Sequence, residues 1–243
     1  VTEFARRLDG VRIAYDYAPG ERPVLLVHGF GATADVTWRG TGWIRAIQGA
    51  GRGVITPDLR GHGQSDKPHR PSDYAPRQLA ADLVTVLDQL ELDQVDVVGY
   101  SMGSRVAAAL TQLASERVRK LVIGGAGPLE LFATWNLDEV RRFVVEGTVP
   151  DDPTIPAILG AAINAGGDRQ ALLACVEGVA GASLDVAPGV PVLYVAGGAD
   201  SITAGVEDVA RATSAGYLRI PGRTHVNTLT SREFTQAALE FLR

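Results

Sequence analysis

A single cysteine and a single methionine stand among 243 residues, and nowhere do lysines and arginines form a block. With Cys175 alone, no disulfide can form within the chain, and no Cys/His cluster has the spacing of zinc ligands. Disulfide scaffolds and zinc modules are thereby excluded, and no cofactor or metal is expected. The balance of 23 Lys+Arg against 28 Asp+Glu gives a net charge of −5, which offers no electrostatic footprint for a phosphate backbone or an anionic lipid surface. Neither nucleic acid nor a membrane is an expected partner. No apolar run approaches the roughly 18 residues of a membrane span. The segment Val1 to Leu8 is charged and lacks the apolar stretch of a secretory signal, so a cytoplasmic location is expected.

What remains is an ordinary globular composition, 46% hydrophobic and 21% charged. Short apolar, β-branched runs alternate with longer amphipathic stretches, the pattern of strand and helix taking turns around a buried parallel sheet. Strands are expected at Val11–Tyr17, Val24–Val27, Gly53–Thr56, Val95–Val98, Leu121–Ile123, Val190–Ala196 and Tyr217–Ile220. Helices are expected at Trp43–Ala50, Pro76–Leu90, Met102–Ala114, Val206–Thr213 and Ser231–Leu242. In the second helix, Leu79, Leu83, Val86, Leu87 and Leu90 share one face, and Asp82, Asp88 and Gln89 are assigned to the other. The alternation breaks between Gly127 and about Asp185, where helical pieces at Leu137–Glu146 and Arg169–Val179 flank Pro150, Pro153 and Pro156. This reads as a helical insertion, 127–185, into an α/β core of 1–126 and 186–243. An insertion between two strands emerges at one end of the sheet, where loops cover ligand sites.

The sharpest chemical signal is Gly99-Tyr100-Ser101-Met102-Gly103, between an apolar run and a helical stretch. A nucleophile on so tight a strand-to-helix turn needs small residues two before and two after it. With 28 Gly and 9 Ser in the chain, about 0.12 such pentapeptides arise by chance, so the placement adds more than the string. The first amide of the following helix, Met102 N–H, points where negative charge would develop on an attacked carbonyl. A second amide is expected from Phe30 in His28-Gly29-Phe30-Gly31, where the chain leaves another strand.

A serine hydroxyl is nearly inert at neutral pH and needs a base held in the right tautomer by a carboxylate. Of four histidines, His225 follows the strand Tyr217–Ile220 in the loop Pro221–Thr224 and is the best placed; His28 is read as structural, and His62 and His69 fall in a Gly/Pro-rich loop. The acid should leave a different strand end. Asp200, closing the run that starts at Val192, fits better than Asp208, which falls on an expected helix.

The order Ser101, Asp200, His225, the 28–31 motif, and Asp58-Leu59-Arg60-Gly61-His62-Gly63-Gln64-Ser65-Asp66 resemble the α/β-hydrolase family, in its serine-nucleophile, esterase-like branch. The resemblance runs from about Val11 to Leu242 and is weakest in the insertion. It implies a mostly parallel eight-stranded sheet flanked by helices, with a small helical cap over the site. The strand count rests on the resemblance alone. It also implies Ser101 as nucleophile, His225 as base, Asp200 as acid, and Phe30 and Met102 as oxyanion-binding amides. Serine at 101 argues against relatives with an aspartate nucleophile, the dehalogenases and epoxide hydrolases. Gly124-Gly125-Ala126-Gly127 supplies no alternative acid. Ser104, where many carbon–carbon bond hydrolases have glycine, is a weak mark against that chemistry.

The expected activity is hydrolysis of a small or medium carboxylic ester through an acyl-enzyme. Lactone, thioester, peracid or carbon–carbon bond chemistry, and a hydrolase-derived ligand receptor, are the alternatives. Leu131, Phe132, Trp135 and Phe143 are expected to line an apolar pocket, with core packing of the cap as the competing role for each. Cys175 is read as a buried apolar residue, and Trp38 and Trp43 as either entrance or helix anchor.

Overall fold

The computed structural model describes residues 2–243. Eight strands form one sheet in the order β1-β2-β4-β3-β5-β6-β7-β8. They are β1 (Glu3–Arg6), β2 (Arg12–Ala18), β3 (Glu21–Val27), β4 (Arg52–Pro57), β5 (Val95–Tyr100), β6 (Val118–Gly124), β7 (Val192–Gly197) and β8 (Gly216–Ile220). The pairs β1·β2 and β2·β4 are antiparallel and every other pair is parallel. The helices are α1 (Trp43–Gly49), α2 (Pro76–Gln89), α3 (Met102–Leu113), α4 (Leu137–Glu146), α5 (Ala161–Asn164), α6 (Arg169–Val179), α7 (Val206–Ala212), α8 (His225–Leu229) and α9 (Arg232–Phe241). None of the described helices is long and apolar enough to cross a membrane.

The central strands read as unbroken apolar runs because both of their faces are covered. Leu25, Val27 and Val97 point into a core shared with Leu79, Leu83, Val86, Val106 and Leu110 of α2 and α3. Their neighbours Val24, Leu26, Val98 and Tyr100 point the other way, against Trp38, Trp43 and Phe234. Trp38 and Trp43 are thus core residues rather than entrance residues. Their rings meet edge to face at 5.6 Å, and Trp43 Nε1 donates to Leu229 O at 2.9 Å.

The order of β3, β4 and β5 decides where a ligand can sit. From β3 the chain crosses to β4 on one side, and the following strand, β5, lies on the other. The loops leaving β3 and β5 therefore diverge, opening a crevice at their carboxyl ends. The 28–31 segment and the 99–103 turn occupy those two ends. The ends of β6, β7 and β8 continue the same rim with Gly125, Asp200 and His225.

Two expectations need correction. Asp82 is not on a solvent face of α2: it is fully buried, with both carboxylate oxygens 2.6 Å from the Arg60 guanidinium and a third contact from Arg7 at 3.1 Å. Its partners come from 22 and 75 positions upstream, so helical periodicity alone could not place it. His225 is not in an irregular loop: it opens α8, whose start is fixed by Thr224 and Asn227 acting as a reciprocal cap, Thr224 N donating to Asn227 Oδ1 at 2.7 Å.

Between β6 and β7 the described residues are helical or irregular, with no strand. Asn136 and Asp168 cap α4 and α6 by accepting from Asp138 N (3.1 Å) and Ala171 N (2.9 Å). Pro156 begins a π-turn, Pro156–Gly160, that runs into α5. It sits in the opening turn of that helical stretch, where the N–H it lacks would have had no partner.

Candidate active site

Ser101 is one of four non-glycine residues with positive φ among the described residues, at φ +55° and ψ −125°. That strain holds its side chain at the tip of the turn between β5 and α3. The crowding around the turn explains its two flanking glycines. A Cβ on Gly99 would lie 2.6 Å from Gly103 O, and one on Gly103 would lie 2.2 Å from Val27 O. Ser101 N donates to Gly124 O at 2.8 Å, tying the turn to β6. Ser104 is buried and donates to the same carbonyl at 2.9 Å, so its hydroxyl is committed away from the crevice.

His225 Nδ1 and Asp200 Oδ2 are 2.9 Å apart. The Asp200 side chain is 1% exposed and that of His225 28%. The other oxygen, Asp200 Oδ1, accepts from Ile202 N at 3.0 Å, so the carboxylate caps a short turn and faces the imidazole at once. Asp208 lies elsewhere, exposed and paired with Arg211 at 2.7 Å. The imidazole packs over Gly125, where an added Cβ would come within 3.1 Å of its Cε1. Tyr100, buried beside Ser101, donates its hydroxyl to His225 O and anchors the start of α8 from below; burial pushes that phenol's pKa upward. Ser101 Oγ and the imidazole do not hydrogen-bond to each other among the described residues, but both open onto one cavity of about 150 Å³.

Phe30 and Met102 also line this cavity. Among the described residues the Phe30 amide donates to no backbone carbonyl. Met102, as first residue of α3, has no intrahelical acceptor for its N–H. Both cavity residues thus carry a backbone amide with no hydrogen-bond acceptor among the described residues.

The segment that carries Phe30 is cross-braced to the 58–66 motif by two buried imidazoles, its own His28 and the motif's His62. His28 Nε2 accepts from Leu59 N at 2.9 Å, which leaves Nδ1–H to donate to Gly29 O at 2.8 Å. His62 Nε2 accepts from Gly31 N at 3.0 Å, and its Nδ1–H donates to Arg60 O at 3.0 Å. Asp58 completes the brace by accepting from Ala34 N (2.9 Å) and Gln64 N (2.8 Å). Burial disfavours charge on both rings: it lowers the His28 pKa, and with the adjacent His28 it takes that of His62 down to about 3. Each ring is thus a neutral donor–acceptor link.

Of the four residues expected to line an apolar pocket, Leu131 and Phe132 border the cavity. Trp135 does not: it stands behind Phe132 at 4.8 Å, its Nε1 donating to Thr154 Oγ1 at 2.9 Å. Phe143 faces Gly160, whose added Cβ would meet its ring at 3.2 Å, and packs α4 onto the π-turn. Ile158 and Ile202 are apolar lining residues that sequence reasoning missed, and Arg105 and Glu130 are charged ones. Cys175 is buried with its Sγ 3.7 Å from Met102 Sδ, and burial raises its pKa. His69 is half exposed and faces Asp168 at 3.1 Å, away from Ser101.

The family model for the alpha/beta hydrolase fold matches residues 22–152. The chain belongs to the α/β-hydrolase family. It is 38% identical over 131 residues to the 2-hydroxy-6-oxo-2,4-heptadienoate hydrolase of Pseudomonas putida, a match covering 53% of this chain and 45% of that relative. A hydrolase from Pseudomonas aeruginosa superposes with a TM-score of 0.80 at 23% identity, covering 99% of this chain and 98% of the other. A thermophilic esterase from Thermogutta terrifontis does so with a TM-score of 0.78 at 25% identity, over 100% and 97%. The matched part thus spans less than half of the curated relative, while the fold likeness extends over essentially the whole chain.

Proposed function

We propose that this α/β hydrolase cleaves small carboxylic esters through an acyl-enzyme formed on Ser101. The observation that carries the reading is the His225–Asp200 contact of 2.9 Å at the rim of the cavity that Ser101 enters. With Nδ1–H donated to Asp200, the lone pair on Nε2 is left to take the Ser101 proton as the hydroxyl attacks the ester carbonyl. Such bonds commonly tighten only with substrate in place. The Phe30 and Met102 amides receive the charge that develops on the carbonyl oxygen; losing one such donor typically raises the barrier by about 3–4 kcal/mol. The imidazolium then protonates the departing alkoxide, and His225 activates water to release the acid. Asp200 stabilises the charged ring throughout. The helical segment 127–185 acts as the cap, its Leu131, Phe132 and Ile158 closing the cavity over the acyl group. No cofactor enters this cycle.

A carbon–carbon bond hydrolase is the second reading, favoured by the identity to the heptadienoate hydrolase. Burial of Ser104 makes its departure from glycine neutral on this point, since the hydroxyl does not reach the cavity. Stopped-flow release of 4-nitrophenol from 4-nitrophenyl butyrate separates the two. An initial burst equal to the enzyme concentration, absent in Ser101→Ala, supports the esterase reading. Absence of a burst and of turnover across short acyl esters overturns it.

A further inference from the structure

Two charged side chains line the apolar cavity, and the proposed ester chemistry uses neither. Arg105, one turn into α3 from Ser101, is 5% exposed, and Glu130, just after β6, is 7% exposed. Each is only partly satisfied. Arg105 Nη1 donates to Ala182 O (2.6 Å), and Nη2 to Gly127 O (2.7 Å) and Leu129 O (2.9 Å). A guanidinium has five N–H donors, so the Nε proton and one on Nη1 are left over among the bonds the described residues make. Glu130 Oε2 accepts from Ala133 N (2.8 Å) and Gly181 N (3.2 Å), and Oε1 has no partner among the described residues. The two charges face one cavity without bonding to each other.

A buried, half-satisfied cation and anion on the wall of the same small space present one donor site and one acceptor site, with no net charge. An apolar acyl chain leaves both unpaired, which is costly at low dielectric. A carboxylate would satisfy Arg105 but meet Glu130 as a like charge. A group that accepts from one and donates to the other satisfies both. We infer that Arg105 and Glu130 form a recognition site for a neutral donor–acceptor group, a hydroxyl or carboxamide, on the acyl portion of the substrate. The inference rests on the assignment of Ser101 as nucleophile, which places the acyl group in this cavity. Apart from Ser101 and His225, the remaining side chains of the wall are apolar, among them Phe30, Leu131, Phe132 and Ile158, so the substrate class is a compact β- or γ-hydroxyacyl or amidoacyl ester.

Three esters of the same shape test this: ethyl 3-hydroxybutyrate, ethyl 3-methylbutyrate and monoethyl malonate, which place a hydroxyl, a methyl and a carboxylate on one framework. The expected order of kcat/KM is hydroxyl first, with the methyl and carboxylate analogues each lower by at least about tenfold. In Glu130→Gln the hydroxyl-to-carboxylate ratio should fall by about tenfold or more, because the anionic repulsion is gone. Equal rates for the hydroxyl and methyl esters, a preference for malonate in the unaltered protein, or a ratio that Glu130→Gln does not move each overturns the inference. A purely structural Glu130 would change the melting temperature and leave that ratio fixed. Calorimetric titration of Ser101→Ala with the first two esters measures recognition apart from turnover. Tighter binding of the hydroxy ester there supports the site even if the ester chemistry fails, and equal binding refutes it.

Discussion

Replacing His62 by glutamine isolates the buried brace behind the Phe30 amide. A glutamine carbonyl can accept from Gly31 N–H as the imidazole Nε2 does at 3.0 Å, but it does not titrate. In the folded protein His62 is held neutral, its pKa lowered by burial first and by His28 second to about 3, from an ordinary 6.5. The unfolded chain therefore binds the extra proton over that interval and the folded one does not, so stability is complete above about pH 6.5 and is lost progressively as pH falls toward 3. Each pKa unit is worth about 1.4 kcal/mol. At about pH 4.5, two units below the unfolded value, His62 alone should have removed about 3 kcal/mol. His28 acts in the same direction, since burial lowers its pKa too. Urea unfolding of both proteins at about pH 7.5 and about pH 4.5 measures the difference. The variant should lose less stability over this range than the unaltered protein, by about 2–3 kcal/mol. Equal losses, or a greater loss in the variant, would refute the claim that His62 is a buried neutral link.

Other expectations follow from the same geometry. Asp200→Asn should lower turnover of a 4-nitrophenyl ester by about 10³–10⁴ with little change in melting temperature, while Asp208→Asn, whose exposed partner is Arg211, should leave turnover within about twofold; steady-state kinetics of the pair decide the acid. Gly103→Ala forces a Cβ within 2.2 Å of Val27 O, and a loss of about 3 kcal/mol or more is expected by chemical denaturation, together with loss of activity. Asp82→Ala leaves the fully buried Arg60 guanidinium with only the partly exposed Asp9 at 3.3 Å as a carboxylate partner, and a loss of about 3–5 kcal/mol by the same assay is expected.

The buried strands were legible in the chain because each is a β-branched run bounded by turn residues, and both long helices of the 127–185 segment appear at the bounds their apolar periodicity suggested. Much of what escaped depended on contacts distant in sequence. β1 holds Phe4 and Ala5 between charged neighbours, too short a run to register until β2 pairs with it. Asp82 looked like a surface residue because its partners, Arg60 and Arg7, belong to other elements. α8 was hidden because its cap uses Asn227 where a glutamate would have been the clearer signal. The elbow at 99–103 and the ends of β7 and β8 were readable from local pattern, and the sheet order then brings Asp200 to His225. The pocket was not readable in this way. Trp135 and Phe143 have the size and apolarity of pocket walls, yet they back other side chains, and the charged residues Arg105 and Glu130 that do border the cavity lie on a helix and a loop with no local signal for it. Tyr100 carries one further hint, since an aromatic beside Ser101 on the strand points into the opposite face of the sheet, where it meets α8.

If the imidazole across the cavity activates Ser101, the hydroxyl should react with a serine-directed electrophile only when that ring is present. Mass spectrometry after exposure to a fluorophosphonate tests it most directly. One adduct per chain is expected, on Ser101, with labelling slowed by at least about a hundredfold in His225→Ala. Labelling at another residue, or labelling of Ser101 at the same rate without the imidazole, would contradict it.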